Sequence, residues 1–232
     1  MCEIKLLEWD TEFFGYEVGE MFCRQNIATI LEENRLKFRL IYFKVDPNDF
    51  LLNEECIRNN GVLVDKKITF IKEEIFQNTE NDNSILLIEN EEVDSDLIDL
   101  AIQSGEFSRF KVDTNFKNNE FDKLYTLWIE NSVNGKLAEK VIILKEENRT
   151  VGLLTLGIKN ANTNIGILAV NKDQRGKGVG RRLVERSFQE TLNLGFKNIE
   201  VVTQLDNFKA CNFYKKKGFV PKQIENVYHF WL

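Results

Sequence analysis

The chain has 232 residues, 43% of them hydrophobic and 29% charged, enough to bury a large core as one domain or two smaller ones. Its formal net charge of −6 argues against a nucleic-acid partner, which demands a basic surface, and no apolar run approaches the roughly 18 residues of a membrane-crossing helix. Cysteines at 2, 23, 56 and 211 without CxxC spacing, beside a single histidine at 229, exclude the usual zinc-ligand pattern; with no hydrophobic signal core at the start, a cytoplasmic protein with reduced, mostly buried thiols and no metal is expected.

Short strands and helices alternate through the first half. Residues 16–22 and 40–45 suit strands, 28–37 and 48–59 suit helices, and 62–76 alternates well enough for one or two strands. The polar stretch 78–84 reads as a loop. A strand at 85–89 follows, then a helix over 95–103 with Ser95 as N-cap and Gly105 just beyond its end. The expected domain boundary falls there, giving 1–105 and 106–232.

The second half begins with a predicted strand at 109–112 and a helix at 118–131, whose apolar Phe121, Leu124, Tyr125 and Trp128 recur at helical spacing. Runs at 140–144 and 150–156 flank the turn-like Glu146-Glu147-Asn148-Arg149 and form a hairpin. A strand at 164–170, a helix at 180–194 stopped by Gly195, a strand at 199–203, a helix at 207–217 stopped by Gly218 and terminal strands between 219 and 232 complete the chain. A weak internal echo links Ile57-Arg-Asn-Asn-Gly-Val-Leu-Val to Tyr214-Lys-Lys-Lys-Gly-Phe-Val-Pro. Both read as a helix, a glycine stop and a strand, as in a degenerate copy, although that succession is also common by chance.

One segment departs from the acidic balance. Between Asn171 and Arg182 stand Lys172, Arg175, Lys177, Arg181 and Arg182 against Asp173 alone. On its own such a cluster is more often a solvated helix start than an anion site. Here it coincides with Arg175-Gly-Lys-Gly-Val-Gly180, which runs from a strand straight into a helix. Glycines at 176, 178 and 180 let backbone N–H groups converge on a ligand, and the helix start adds free N–H groups and the positive end of its dipole. That combination suits a diphosphate. A nucleotide P-loop needs GxxxxGK[ST], which is missing, and a Rossmann fingerprint needs glycine where Arg181 stands and more βα units than the remaining residues allow.

Arg175-x-x-Gly178-x-Gly180 matches the Q/R-x-x-G-x-G/A signature of the GNAT superfamily of N-acetyltransferases. The Leu-Ala-Val strand before it, the amphipathic helix after it, the Val201-Val-Thr strand, Asn207, and Phe213-Tyr214 ahead of Gly218-Phe219 resemble that family as well. The resemblance implies an α/β fold of the α+β type, with a mixed central sheet and helices on both faces, here preceded by a smaller, truncated GNAT-like domain. It also implies acetyl-CoA as cosubstrate. Leu168, Ala169 and Val170 would belong to a strand that splays from its neighbour at 199–203 and offers its backbone to the pantetheine arm. Arg175, Gly176, Lys177, Gly178, Val179, Gly180 and Arg181 would hold the diphosphate, Asn207 would bind the arm through its amide, and a strand N–H would stabilise the oxyanion. Tyr214 would protonate the departing thiolate, a phenol of pKa about 10 against a thiol of about 8.5; the competing role for Tyr214 is that of a packed helix aromatic.

The opening Leu7-Glu-Trp-Asp10-Thr-Glu-Phe-Phe-Gly15 is similar to the W-D-S/T-x-F-F-G start of bacterial TDP-fucosamine acetyltransferases, which act on TDP-4-amino-4,6-dideoxy sugars. Arg109-Phe-Lys-Val-Asp113, Leu124-Tyr-x-x-Trp-Ile-Glu-Asn-Ser132 and Tyr228-His-Phe-Trp-Leu232 extend that likeness. It implies a small-molecule amine acceptor, a nucleotide sugar lying between the two halves, with Arg109 and Lys111 as candidates for its diphosphate. Trp9, Phe13 and Phe14 would stack on its base or sugar, or plug the domains together. Asp10, Glu12, His229 or water could serve as the base, with His229 better read as a structural strand residue, and Cys211 lacks a histidine partner for covalent catalysis. Another amine, such as a peptide N-terminus, an antibiotic or a polyamine, and a non-catalytic acyl-CoA sensor are the competing readings; a homodimer is left open.

Overall fold

Two-residue alternation in the strands and 3.6-residue periodicity in the helices sort the apolar residues onto the two faces of one ten-stranded sheet. The computed structural model describes residues 3–76 and 82–232. Of the loop expected at 78–84, residues 78–81 lie outside them, and the remainder is a turn in which Asp82 accepts from the Ser84 N–H at 3.1 Å.

The elements in chain order are β1 (Ile4–Leu6), α1 (Glu8–Phe14), β2 (Val18–Met21), α2 (Ile27–Asn34), β3 (Leu40–Val45), α3 (Phe50–Arg58), β4 (Val62–Lys72), β5 (Ile85–Ile88), α4 (Ser95–Ser104), α5 (Arg109–Val112), α6 (Glu120–Val133), β6 (Lys140–Glu146), β7 (Arg149–Lys159), β8 (Asn162–Val170), α7 (Val179–Asn193), β9 (Ile199–Gln204), α8 (Phe208–Lys216) and β10 (Val220–Trp231). The hairpin joining β6 and β7 turns at Glu147-Asn148, whose φ values of 47° and 64° suit the right-handed twist of the flanking strands. Asp94, not Ser95, caps α4, accepting from the Leu97 N–H at 2.9 Å. The region 62–76 forms the single strand β4, and 219–232 forms one long strand, β10, kinked by two bulges.

One expected strand is a helix, and one helix has no counterpart among the expected elements. Residues 109–112 form the short helix α5 rather than a strand. Ser108 Oγ accepts from the Phe110 N–H at 3.3 Å, and this local bond offers the backbone a partner that no neighbouring strand supplies. The segment 8–14, read only as an aromatic opening, is the helix α1, closed by Gly15 in the left-handed region at φ 73°.

The strand order is β1-β2-β3-β10-β4-β9-β8-β7-β6-β5. At its centre β10 and β4 run antiparallel, and each crosses to the other half of the sheet: β10 pairs with β3, and β4 pairs with β9. Outside them the pattern repeats. β2 is parallel to β3 and antiparallel to β1, as β8 is parallel to β9 and antiparallel to β7. The run β1 to β4 is thus a topological copy of β7 to β10, which gives the sequence echo a structural counterpart in α3–β4 and α8–β10. In the first copy the left-handed residue after the helix is Asn60 (φ 61°), with Gly61 needed because a Cβ would lie 2.8 Å from the Phe230 ring; in the second it is Gly218 (φ 81°). A cut at residue 105 would therefore run through one continuous sheet, detaching β4 from β9 and β3 from β10.

Apolar burial fixes which helices cover which face. Ile68, Phe70, Leu154, Val201 and Tyr214 share one core with Val179, Leu183 and Val184 of α7. On the opposite face, Ile143, Leu153, Ile167 and Ala169 pack with Leu97, Leu100 and Ala101 of α4 and with Ile129 and Val133 of α6. A third core joins α2 and α3 to β3 and β10. Cys23, Cys56 and Cys211 are all buried, while Cys2 lies outside the described residues. Among the described residues no helix is long and apolar enough to cross a membrane, and no three His, Cys, Asp or Glu gather as metal ligands.

Candidate active site

The site begins where two parallel strands diverge. β8 pairs with β9 only at Thr163–Ile199, Asn164–Glu200 and Ile165–Val201. Beyond Ile165 it follows β7, with Leu168 opposite Leu154 and Val170 opposite Gly152. β9 meanwhile follows β4, with Thr203 opposite Ile68 and Gln204 opposite Lys67. A bulge between Ile165 and Leu168 marks the divergence, and the Ile167 N–H there donates to Thr155 Oγ1 at 2.9 Å. The Asn171 N–H points to β7, donating to the Val151 carbonyl at 2.9 Å. Alternation along the strand then aims the N–H groups of Leu168 and Val170 the other way, into the gap. The separation expected between 168–170 and 199–203 is present, with its apex at Ile165–Val201.

From β8 the chain passes through a tight turn into α7. Gly176 (φ 80°) and Gly178 (φ 89°) hold left-handed conformations, and among the described residues nothing lies within 4 Å of where a Cβ would stand. Gly178 is the N-cap of α7 and supplies no side-chain cap. The first N–H bonded back within this helix belongs to Arg182, donating to the Gly178 carbonyl at 3.1 Å, so the N–H groups of 179–181 and the dipole's positive end face outward. Gly180 differs from the other two: its φ is not positive, and a Cβ would meet Val170 and Phe213 at ordinary distances of 3.5 to 3.7 Å. A Cβ at Gly152 of β7 would stand 2.7 Å from Val179 and 2.9 Å from Leu183, so that glycine lets α7 settle on the sheet.

The basic residues of this segment have separate duties. Arg181 is exposed and lines the cleft, and so does Arg175, whose Nε also donates to the Val170 carbonyl at 3.0 Å and ties the turn to the end of β8. Lys177 is exposed outside the cleft lining. Arg182 is turned away and grips Asp82 through two bonds of 2.6 and 2.9 Å, holding that carboxyl well below the usual carboxylate range.

The gap and turn open into a cleft of about 750 Å³. Leu168, Ala169, Val170, Arg175, Gly176, Gly178, Val179, Gly180, Arg181, Asn207 and Tyr214 all line it, so among the residues expected for the cofactor and the acid Lys177 alone stands apart. Asn207 caps α8 by accepting from the Ala210 N–H at 3.1 Å. That bond occupies its carbonyl oxygen and leaves the amide N–H₂ as its donor group. Tyr214 is 5% exposed, packed against Phe70, Phe213 and Phe219, and burial pushes its pKa above the ordinary 10, so it is protonated throughout the neutral range. Cys211, three residues earlier, is buried with its Sγ donating to the Gln204 carbonyl at 3.4 Å, and burial raises its pKa, the opposite of what a thiolate nucleophile needs.

The far wall comes from a segment that carried no motif in the sequence: Gln103, Ser104, Glu106 and Phe107, at the end of α4. Chain immediately after it enters the seam between the two sheet halves. There the Arg109 guanidinium lies 4.2 Å from the Tyr42 ring centroid and 4.7 Å from that of Phe110. Tyr42 donates to Asp10 at 3.1 Å, so Asp10 is already engaged, and Glu12 is exposed. His229 is fully buried, its Nδ1 2.6 Å from Asp113 Oδ2. Burial favours the charged form of neither group. For Asp113 the donors His229, Asn115 and Trp231 overcome it and hold the carboxyl at about 2, whereas for His229 burial prevails and lowers the imidazole to about 4. A neutral histidine donating from Nδ1 to a carboxylate follows, with the structural role expected for it. The three aromatics of α1 divide: Phe14 plugs the seam against Tyr16, Phe110 and Phe116, while Trp9 stays 48% exposed and stacks on Phe13 at 5.3 Å.

A family model described as "Acetyltransferase (GNAT) family" matches residues 104–219. Over 135 residues the chain is 25% identical to the "Spore coat polysaccharide biosynthesis protein SpsD" of Bacillus subtilis (strain 168), a stretch covering 58% of this chain and 46% of that protein. Over 113 residues it is 29% identical to "Streptothricin acetyltransferase A" of the same organism, covering 48% of the chain and 62% of the relative. In each case the chain spans less than two thirds of the relative's length. A solved GCN5-related N-acetyltransferase from Sphaerobacter thermophilus shares the fold with a TM-score of 0.62 at 12% identity, over 99% of this chain and 76% of that one.

Proposed function

Because the chain belongs to the acetyltransferase (GNAT) family, an enzyme family that uses acetyl-CoA, we propose that it transfers the acetyl group of acetyl-CoA to the amine of a nucleotide-linked 4-amino sugar by direct attack. The observation that carries the reading is the unbroken path from the bare N-terminus of α7, through the β8–β9 gap, to Tyr214. The outward N–H groups of 179–181, with Arg175 and Arg181, suit a diphosphate. The inward-facing N–H groups of Leu168 and Val170 suit an extended amide-bearing arm and, at its end, a thioester carbonyl whose oxygen gains charge during attack. Asn207 supplies a further donor. Tyr214 keeps its proton until a developing thiolate takes it, which raises the rate because the leaving group departs neutral.

The acceptor is supported by two observations. The residues of 7–15 resemble the opening of TDP-fucosamine acetyltransferases, and the similar protein SpsD is named for polysaccharide biosynthesis. An antibiotic amine is the second reading, favoured by the 29% identity to a streptothricin acetyltransferase. Thiol release measured with TDP-4-amino sugars, streptothricin, N-terminal peptides and polyamines decides between them, with the sugars expected to be turned over fastest. Tyr214→Phe is expected to bind acetyl-CoA normally in calorimetry and to lose roughly 10²-fold or more in kcat. Full turnover in that variant would remove the proposed acid.

A further inference from the structure

We propose that Asp65 receives the acceptor's ammonium group and takes its proton, on the face of the sheet opposite Tyr214; the assignment rests on the acetyl-transfer reading above. The placement follows from strand alternation. Ile68 and Phe70 of β4 share a core with Tyr214, and Asp65 lies an odd number of positions from each, so it projects from the other face. β9 agrees, since Val201 lies in the Tyr214 core while Gln204, three residues on, is close enough to Asp65 to favour its charged form. The β8–β9 gap runs between these faces, so a thioester in it would have a proton donor on one side and a carboxylate on the other.

Asp65 is not itself among the residues lining the cleft, but it is acted on by groups that adjoin both of the cleft's walls. One wall is formed by Gln103, Ser104, Glu106 and Phe107, with Ser108 and Arg109 next in the chain; the other includes Asp206 and Asn207, which follow Gln204 at the end of β9. Arg109 of α5, Lys67 of its own strand, and Asp206 and Gln204 from the end of β9 are the groups acting on Asp65, and Tyr125 of α6 feels its charge in turn. Despite this company its Oδ1 is buried and, among the described residues, has no hydrogen-bond partner. A buried carboxylate oxygen with no donor is costly unless a ligand supplies one, and a primary ammonium carries three N–H donors. Arg109 does not serve that oxygen itself, because its guanidinium is spread over the Tyr42 and Phe110 rings and it takes part in none of the ion pairs among the described residues.

Burial raises the Asp65 carboxyl to about 6, with Arg109, Gln204 and Lys67 opposing the rise, which places it closer to an amine in basicity than an ordinary aspartate. In the balanced step, R–NH₃⁺ gives one proton to Asp65 and the freed nitrogen forms a bond to the thioester carbonyl carbon. The C–S bond breaks with its electron pair on sulfur, Tyr214 protonates that sulfur, and the second proton lost by nitrogen restores Tyr214 through water. Asp65 then releases its proton to solvent, so one proton leaves per turnover.

Asp65→Asn and Asp65→Glu are compared with wild type, using the fastest amine of the panel, over pH 5 to 9, with acetyl-CoA affinity measured alongside. Wild type should lose activity below a pKa near 6. Asp65→Asn should bind acetyl-CoA within twofold of wild type, lose roughly 10²- to 10⁴-fold in kcat and lack the acidic limb, with Asp65→Glu recovering some of both. Asp65→Asn with wild-type kcat and an unchanged profile overturns the assignment and leaves the acetyl-transfer reading standing. Wild type that binds acetyl-CoA but acetylates no amine overturns both.

Discussion

The two halves of the sheet present the same strand-to-helix connection twice, and only one leaves room for a ligand. In the first copy β2 stays parallel to β3 along its whole length, from Val18–Leu40 to Met21–Phe43, so no gap opens. In the second, β8 leaves β9 after three pairs. The turns differ as well. The first contains Phe22-Cys-Arg-Gln-Asn26 with no glycine, and the N-terminus of α2 is already served, its Ile27 N–H donating to the Glu55 carboxylate at 3.1 Å. The second has two left-handed glycines and, among the described residues, no side-chain cap and no acidic residue in the first turn of α7. A helix N-terminus is thus free to take a ligand only where the chain leaves it without a partner of its own.

The sharpest way to break the comparison is to sever the copies. Expression of 1–105 and 106–232 as separate chains should yield neither with native far-ultraviolet dichroism, because β4 and β10 each complete the other's half of the sheet and leave long unpaired edges when separated. A soluble, cooperatively melting 106–232 fragment would show the interleaving to be dispensable.

Next in size is the acid sensitivity of the seam. His229 carries a folded pKa depressed to about 4 against about 6.5 in the unfolded chain. Below 6.5 the unfolded chain binds a proton that the fold refuses, so stability present above pH 6.5 declines toward pH 4. Asp113, depressed to about 2, adds a loss only below about 4. Urea melts at pH 7 and 4.5 should differ by about 2 to 3 kcal/mol more in wild type than in His229→Gln. Equal pH dependence in the two proteins would mean that the histidine is not held neutral.

The smallest effects compare the two helix starts directly. Gly178→Val places a β-branched residue at φ 89° and should cost about 1 to 3 kcal/mol of stability while weakening acetyl-CoA binding at least tenfold. Glu55→Gln should cost only about 0.5 to 1 kcal/mol, the worth of a charge at a helix N-terminus, and leave acetyl-CoA binding unchanged in calorimetry. A loss of cofactor affinity in Glu55→Gln would show that the first copy contributes to the site after all.

Local chemistry was enough to read much of this protein from its residues. Glycine punctuation, helix caps and apolar periodicity act within a few residues, so β3, the β6–β7 hairpin and the α7 and α8 helices fall close to their expected positions, and the turn at 175–180 stands out as a candidate anion site. The GNAT resemblance drew on that same segment and marked Asn207 and Tyr214. Short segments whose conformation rests on one side-chain bond misled, as at 109–112, where Ser108 makes a helix of β-prone residues. What only the tertiary structure decided are the long-range matters: that β4 and β10 change places, that the splay of β8 from β9 begins at Ile165, that Gln103 to Phe107 form a wall, and that one oxygen of Asp65 is buried and, among the described residues, unpaired. Strand partners and buried charges depend on residues far apart in the chain, as with His229 and Asp113, 116 positions apart, and no local pattern encodes that pairing.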